Sequence, residues 1–151
     1  MVEKKILKTA FSKCFTDTGY KKRGQLLYRD GKEVYIAVDL QKSNYDDFYY
    51  FNIGFFLKAL GNHEYPAANK CHMNYRAENL FPAYQELIYR GLLLSDGTQE
   101  WLSDLIVVVK NEIIPALFTC AEINGLRDFL SKGSMNNGLI TKEAREFLFK
   151  K

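Results

Sequence analysis

The residues that decide the fold are two stretches, VYIAVDLQ at positions 34–41 and YYFNIGFFL at positions 49–57. In both, side chains of one kind recur at every second position, which is the period of a β-strand. A polar segment at 42–47 joins the stretches and predicts that they pair antiparallel. One face of the pair is expected to be core. Its side chains should be buried against one another and against two residues of a later helix, which gives this predicted core: Val34, Ile36, Val38, Leu40, Phe51, Ile53, Phe55, Ile106 and Val109.

Two further strands are predicted to flank this pair. Residues 26–28 run into Asp30-Gly31, a hairpin signal, and residues 71–76 alternate between apolar and polar side chains. The facing of the first flanking strand stays open, because a two-residue loop points Leu27 into the core and a three-residue loop points Leu26 there instead. Tyr28 and Arg29 are therefore not assigned to a face.

Helical periodicity brackets the strands. The chain opens with apolar residues three and four positions apart between Ile6 and Phe15. After the strands, the expected helices are a short one over 82–90, a longer one from Trp101 that Pro115 kinks or ends, another over 122–130, and a last one capped by Thr141.

Helices that follow a run of strands tend to cover one face of the sheet. The sequence thus predicts an α+β fold, with an antiparallel four-stranded meander sheet covered on one face by helices, in the order α-β-β-β-β-α-α-α(-α). A chain of 151 residues has the usual size of one domain, so residues 1–151 are expected to form a single domain.

Composition and charge argue against several classes of protein. The chain is 47% hydrophobic and 26% charged, as in globular rather than disordered proteins. Its net charge of +3 is too mild for a dedicated nucleic-acid-binding face, which neutralises several phosphates at once. No run approaches the roughly 18 apolar residues of a membrane span. Three irregularly spaced cysteines and no apolar leader favour a cytoplasmic protein with free thiols.

Short motifs follow one another along the chain: Gly19-Tyr20-Lys21-Lys22, Tyr28-Arg29, Leu40-Gln41-Lys42-Ser43, Phe51-Asn52-Ile53-Gly54, Cys71-His72 with Arg76, and Trp101. In this order they resemble the bacterial domain-of-unknown-function family 4304, over about residues 5 to 120. The resemblance implies a mixed α/β domain that is usually the whole of a small protein. It implies no activity, cofactor or substrate.

Polar side chains from three strands are predicted to share the sheet face opposite the helices: Asp39, Gln41, Asn52, His72, Asn74 and Arg76, flanked by Tyr35 and Tyr50. Amides, an imidazole, a guanidinium and phenols can together hydrogen-bond a polar ligand or the backbone of a partner. The candidates for binding are Gln41, Asn52, His72, Arg76, Asp39 and Tyr50. The alternative is structural, since buried polar groups usually satisfy one another.

No catalytic residue, metal ion or cofactor is predicted. Cys71 and His72 are neighbours on a strand and point to opposite faces, so they cannot act together as nucleophile and base. His63 lies in a loop, and nothing in the sequence holds it beside Cys71. A zinc site made from these three residues lacks a fourth ligand.

Three functions remain. The first is a non-catalytic binding or interaction module whose open sheet face holds an unknown protein or a polar small ligand. The alternative is a hydrolase- or transferase-type enzyme that uses His72 with Arg76 and Asn52. The third is a weak nucleic-acid binder that uses Lys21-Lys22-Arg23 and exposed tyrosines.

Overall fold

The computed structural model describes residues 4–94, 99–133 and 136–149. The strands are β1 (Lys21–Arg23), β2 (Leu26–Asp30), β3 (Val34–Lys42), β4 (Tyr49–Leu57), β5 (Met73–Arg76) and β6 (Leu139–Ile140). The helices are α1 (Lys4–Thr16), α2 (Ala77–Leu80), α3 (Gln85–Gly91), α4 (Gln99–Val108), α5 (Ile114–Thr119), α6 (Ile123–Leu130) and α7 (Lys142–Phe149). Short 3₁₀ turns occupy Lys58–Leu60, Ala68–Lys70 and Pro82–Tyr84.

The sheet is an antiparallel meander in which the strands lie in their order along the chain, from β1 to β6. The α+β class and the antiparallel meander are confirmed, but within the described residues the sheet has six strands instead of the four expected. The two additional strands are edge strands. β1 consists of three exposed basic residues and β6 of only two residues, so neither shows an alternating pattern. β6 pairs with β5 through Met73↔Ile140 and Asn74↔Leu139, a contact between distant parts of the chain.

The hairpin between β2 and β3 turns later than Asp30-Gly31. The Gly31 N–H donates to the Val34 carbonyl at 3.1 Å, so Lys32 and Glu33 form the turn. A side chain at Gly31 would meet the Ala121 Cβ at 2.7 Å, so the glycine serves a close approach here.

This register decides the facing that the sequence left open. Leu27 pairs with Val38 and is buried on the helical side. Arg29 pairs with Ile36 on that same side, whereas Tyr28 pairs with Ala37 and faces the other way.

The main core lies between the sheet and the helices. Of the nine residues expected there, seven are fully buried: Val34, Ile36, Val38, Phe51, Ile53, Phe55 and Val109. Leu40 and Ile106 are half-buried and pack against the same cluster. Each of the helices α1 to α7 contributes residues to this core.

Pro115 interrupts the long helix as expected. The chain widens into a five-residue π turn, Val109–Ile113, between α4 and α5. Proline has no N–H to donate to the carbonyl of Asn111, and a wider turn accommodates the missing bond.

The face opposite the helices is not open. The chain between β4 and β5 folds back over it, and a second buried cluster forms from Tyr35, Ala37, Phe56, Ala68 and Cys71. The sequence predicted an exposed face because Tyr35 and Ala37 alternate with the aliphatic core residues. Loop residues that carry no periodic pattern provide the cover, so the alternation alone could not reveal it.

Cys14, Cys71 and Cys120 are free and buried. Thr141 caps α7 by accepting a hydrogen bond from the Ala144 N–H at 3.2 Å. Within the described residues, no helix is long and apolar enough to cross a membrane.

We predict that Phe51→Ala lowers the free energy of unfolding by about 3–5 kcal/mol, the usual loss for truncating a buried aromatic residue. The Phe51 ring is fully buried and lies edge-on to the Phe11 ring at 4.8 Å. Urea unfolding measures the loss. Tyr45→Ala is the control, because Tyr45 is 91% exposed and its removal should change stability little. Equal effects of the two substitutions would contradict the core assignment.

Candidate functional site

Four polar side chains meet at one end of the sheet face opposite the helices, and we call Asp39, Gln41, Asn52 and Arg76 the polar cluster. The register brings them together, because Asn52 pairs with Asp39 on one side and with Arg76 on the other. The Asn52 Nδ2 donates to Asp39 Oδ1 at 2.9 Å and to Gln41 Oε1 at 3.1 Å. Five of the six sequence candidates are thus placed together, since Tyr50 lies against Arg76.

Arg76 is held by neutral groups. Its Nη1 donates to Gln41 Oε1 at 3.1 Å and to Asn52 Oδ1, and its guanidinium lies 3.7 Å above the centre of the Tyr50 ring. No carboxylate among the described residues forms an ion pair with it. Asp39 instead accepts a hydrogen bond from the Ala68 N–H at 3.2 Å. Arg76 is therefore half-buried without a direct ion pair to any described carboxylate.

A cavity of about 260 Å³ opens beside the polar cluster. Its wall carries amide side chains and a single cation, and no acidic residue: Gln41, Asn52, Asn69, Asn74, Tyr75, Arg76, Asn79, Asn137, Gly138 and Leu139. Within the described part of the chain, the side-chain amides of Asn69, Asn74 and Asn79 form no hydrogen bond, and neither do Nε and Nη2 of Arg76. Hydrogen-bonding groups therefore remain available to a ligand.

Sequence reasoning missed three of these asparagines. Asn69, Asn79 and Asn137 lie outside the strands, where no period indicates the direction of a side chain. A hydrogen bond links Asn137 to Asn79 at the cavity: the Asn137 Nδ2 donates to the Asn79 carbonyl at 3.5 Å. The one feature of the sequence that could have indicated them is the presence of several asparagines near the strand motifs.

His72 does not join the polar cluster. Its Nδ1 accepts a hydrogen bond from the Leu57 N–H at 2.9 Å. Leu57 and Asn52 are five positions apart on β4, a separation of roughly 17 Å along a strand. The His72 ring instead packs on Phe56, with ring centres 4.2 Å apart. The structure therefore does not bring His72 together with Arg76 and Asn52 in the polar cluster.

Burial controls the chemistry of the residues around His72. The pKa of His72 lies below its ordinary value, because burial disfavours the imidazolium more than the negative charge of Glu143 favours it. Burial raises the pKa of the Cys71 thiol to about 12, so a thiolate is scarce at neutral pH. The Tyr35 hydroxyl, which was expected to flank the polar cluster, is fully buried and donates to the Pro66 carbonyl at 3.0 Å.

His63 lies between Tyr35 and Phe56, with ring-centre distances of 4.5 and 5.3 Å. Its Nε2 is 3.5 Å from a carboxylate oxygen of Asp30. In the described ranges, no group of three or more His, Cys, Asp or Glu side chains is placed to hold a metal ion.

A close contact separates the two ends of the face. A Cβ at Gly54 would lie 2.6 Å from the Ala68 carbonyl oxygen and 2.7 Å from its Cα. The turn Ala68–Lys70 therefore rests directly on β4, with the polar cluster on one side of it and the aromatic residues around His72 on the other. This contact gives both residues of the Asn52-x-Gly54 motif a role: the amide builds the polar cluster and the glycine admits the turn.

Fold and site together define a class of α+β domain, in which one face of an antiparallel meander is covered by helices and the other by a loop beside an amide-lined cavity. The family model for the domain of unknown function DUF4304 matches residues 11–105, and the chain belongs to that family. The match confirms the family expected from the sequence motifs. It includes the polar cluster but not the cavity wall at 137–139. No curated protein and no solved structure matches the chain.

We predict that His72 makes stability depend on pH. The unfolded chain binds a proton at His72 more readily than the folded chain does, because the pKa of His72 is lowered on folding. The free energy of unfolding should then fall as the pH drops below about 6.5.

Urea unfolding of the wild type and of His72→Asn at several pH values measures this effect. The asparagine oxygen can accept the Leu57 N–H in place of Nδ1 and does not titrate. Other titrating groups are common to both chains, so they cancel in the difference. Identical pH dependence in the two chains would contradict the role given to His72.

We also predict that Gly54→Ala loosens the turn Ala68–Lys70, because the added methyl group meets backbone atoms that cannot rotate away. The loss of stability should be about 1–3 kcal/mol, as for overpacking. Cys71 adjoins this turn, so its labelling by a thiol reagent should become faster, as followed by mass spectrometry.

Gly61→Ala is the matched control, because its added methyl group would lie at an ordinary 3.7 Å from the Phe56 ring. Labelling of Cys71 at the wild-type rate in Gly54→Ala would show that the contact does not hold the turn in place.

Proposed function

We propose that the protein is a non-catalytic binding module, and that the amide-lined cavity beside the polar cluster takes an acidic group. The group is a carboxylate, either of a small polar molecule or of an acidic side chain on a partner protein. One observation carries the proposal: Arg76 is half-buried, carries no ion pair among the described residues and still has free N–H groups where it lines a cavity.

The charge of the cavity supports an anionic ligand. Among the described residues that line it, Arg76 is the one that carries a charge. A half-buried cation is costly without a counter-charge, and a planar guanidinium matches a carboxylate through two parallel hydrogen bonds. Gln41 and Asn52 occupy Nη1 and fix the plane of the guanidinium, so Nε and Nη2 are held in place before a ligand arrives.

The amides support recognition beyond charge. Each asparagine side chain offers two N–H donors and one oxygen acceptor, so Asn69, Asn74 and Asn79 can bind the polar groups next to a carboxylate. Tyr50 and Phe48, whose ring centres are 4.8 Å apart, extend the surface from Arg76 towards Tyr89. Tyrosine and arginine are the residues enriched at the centres of protein interfaces.

A binding role also agrees with the lining of the cavity, because groups that catalysis would need are not among the described lining residues. His72 is not among the residues that line the cavity, and its Nδ1 is already occupied by the Leu57 N–H. No nucleophilic thiol and no acidic residue stand among the residues that line the cavity. The lining can hold a ligand, but it offers no base or nucleophile to act on one.

We predict that Arg76→Gln abolishes binding while changing stability little. The probes are N-acetylglutamate and the blocked peptide acetyl-Gly-Glu-Gly-amide, titrated into ¹⁵N-labelled protein. Saturable shifts are expected at the Arg76 Nε–H and at the side-chain amide of Asn74. Arg76→Gln should weaken binding at least about tenfold, as expected for a lost charge-assisted pair. Its melting temperature should fall by no more than about 4 °C.

The blocked peptide acetyl-Gly-Gln-Gly-amide is the matched control, because it keeps the shape and removes the charge. Two results would contradict the proposal. One is the absence of saturable shifts at the cavity with either acidic probe. The other is a loss of about 3–5 kcal/mol of stability in Arg76→Gln without any ligand effect, which would make the polar cluster a scaffold.

A further inference from the structure

A second cavity lies at the opposite edge of the sheet. β1 begins at Lys21, which pairs with Tyr28, whereas β2 continues to Asp30. Beyond Lys21 the chain at Thr18 and Gly19 diverges from β2 and leaves a slot of about 490 Å³. We call this the cationic slot; it is lined by Thr18, Gly19, Lys21, Tyr28, Arg29, Asp30, Tyr65 and Phe118.

The cations at the slot have no acidic partners. The Arg29 guanidinium lies 3.9 Å from the centre of the Phe118 ring. Arg23 does not itself line the slot, but its guanidinium lies 4.4 Å from the centre of the Tyr65 ring, which does. Among the described residues, neither arginine forms an ion pair, and nor does Lys21. The one acid in the lining, Asp30, is engaged by Lys58 at 2.9 Å.

The aromatic rings hold the guanidinium groups in a useful orientation. A guanidinium stacked on a ring keeps its N–H groups around its edge, where they can donate to a phosphate. No hydrogen bond within the described residues uses the side-chain N–H groups of Arg23 or Arg29. An anion entering the slot would therefore meet donors that are positioned and unoccupied.

The walls of the slot are aromatic on two sides. Tyr28 and Tyr65 stand on one side, with ring centres 5.0 Å apart, and Phe118 is 56% exposed on the other. Tyr65 is held there by a backbone φ of 52°, which is uncommon for any residue except glycine. Flat rings at a cationic site can stack on a flat ligand ring while the cations bind its charge.

We propose that the cationic slot binds a nucleotide unit, a planar base that carries a phosphate. The phosphate contacts Arg29 and Lys21, and the base stacks on the rings of Tyr65 and Phe118. The volume suits one such unit, since sites for small ligands begin at about 300 Å³. A single phosphate needs only these few cations, so the site is compatible with a net charge of only +3.

This site is independent of the amide-lined cavity. The slot adjoins β1 and β2, whereas the cavity adjoins β4, β5 and β6, and the two share no lining residue. Binding at either one can therefore be tested without reference to the other.

Isothermal titration calorimetry with adenosine monophosphate tests the proposal, with inorganic phosphate and adenosine as the two halves of the ligand. Adenosine monophosphate should bind saturably and more tightly than either half, and added NaCl should weaken it. Arg29→Gln and Lys21→Gln should each weaken binding by about tenfold. Lys21 is exposed, so Lys21→Gln should fold normally. It therefore still tests the site if Arg29→Gln fails to fold.

Arg90→Gln is the matched control, because Arg90 also lies over an aromatic ring, that of Trp101 at 5.1 Å, but far from the slot in sequence and outside its lining. Its affinity should equal that of the wild type. A ten-nucleotide oligouridylate distinguishes the sources of the ligand: tighter binding than the mononucleotide identifies a single strand, and equal binding identifies a free nucleotide.

Three results would overturn the proposal. The first is the absence of saturable binding by both adenosine monophosphate and the oligonucleotide. The second is binding of inorganic phosphate as tight as that of adenosine monophosphate, which would leave the aromatic walls without a role. The third is unchanged affinity in Lys21→Gln.

Discussion

The pairing of β3 with β4 is the constraint on which the rest of the structure depends. Nine residues of each strand pair in one register, from Val34 opposite Leu57 to Lys42 opposite Tyr49. That register puts Asp39 opposite Asn52 and sends one set of side chains to the helices: Val34, Ile36, Val38, Phe51, Ile53 and Phe55. A slip of one residue would reverse both faces. The buried core and the polar cluster are thus two results of the same pairing. Because burial of the apolar side chains fixes the register, it also fixes which polar side chains meet on the opposite face.

The second face is organised by one missing side chain. Because Gly54 has no Cβ, the turn at Ala68–Lys70 can approach the backbone of β4 and cover the middle of the sheet. The cover buries Tyr35, Ala37, Phe56 and Cys71. It also leaves the polar cluster at one end and the aromatic residues around His72 and His63 at the other. Hydrogen bonds then complete each end, from the Ala68 N–H to Asp39 and from the Leu57 N–H to His72.

Both proposed sites rest on arginines that neutral groups hold in place. Amide oxygens and the Tyr50 ring hold Arg76, and aromatic rings hold Arg23 and Arg29. A carboxylate partner would fix an arginine equally well, but it would cancel the charge. Amides and rings fix the geometry and preserve the charge for an incoming anion. The two proposed sites therefore need only local cations, in keeping with a net charge of only +3.

The sequence by itself determined the α+β class, the central strands, nearly all of the predicted core and the row from Asp39 through Asn52 to Arg76. These features follow from alternation within single segments, where the two-residue period of a strand assigns each side chain to a face. Only the tertiary structure decided that β6 joins the sheet and that Lys32 and Glu33 form the turn between β2 and β3. It also decided that a loop covers the second face and that His72 lies apart from Arg76. Asn69, Asn79 and Asn137 likewise reach the cavity from irregular segments. All of these depend on contacts between parts of the chain that are distant in sequence. The periodic pattern within one segment does not indicate which distant residues that segment will contact.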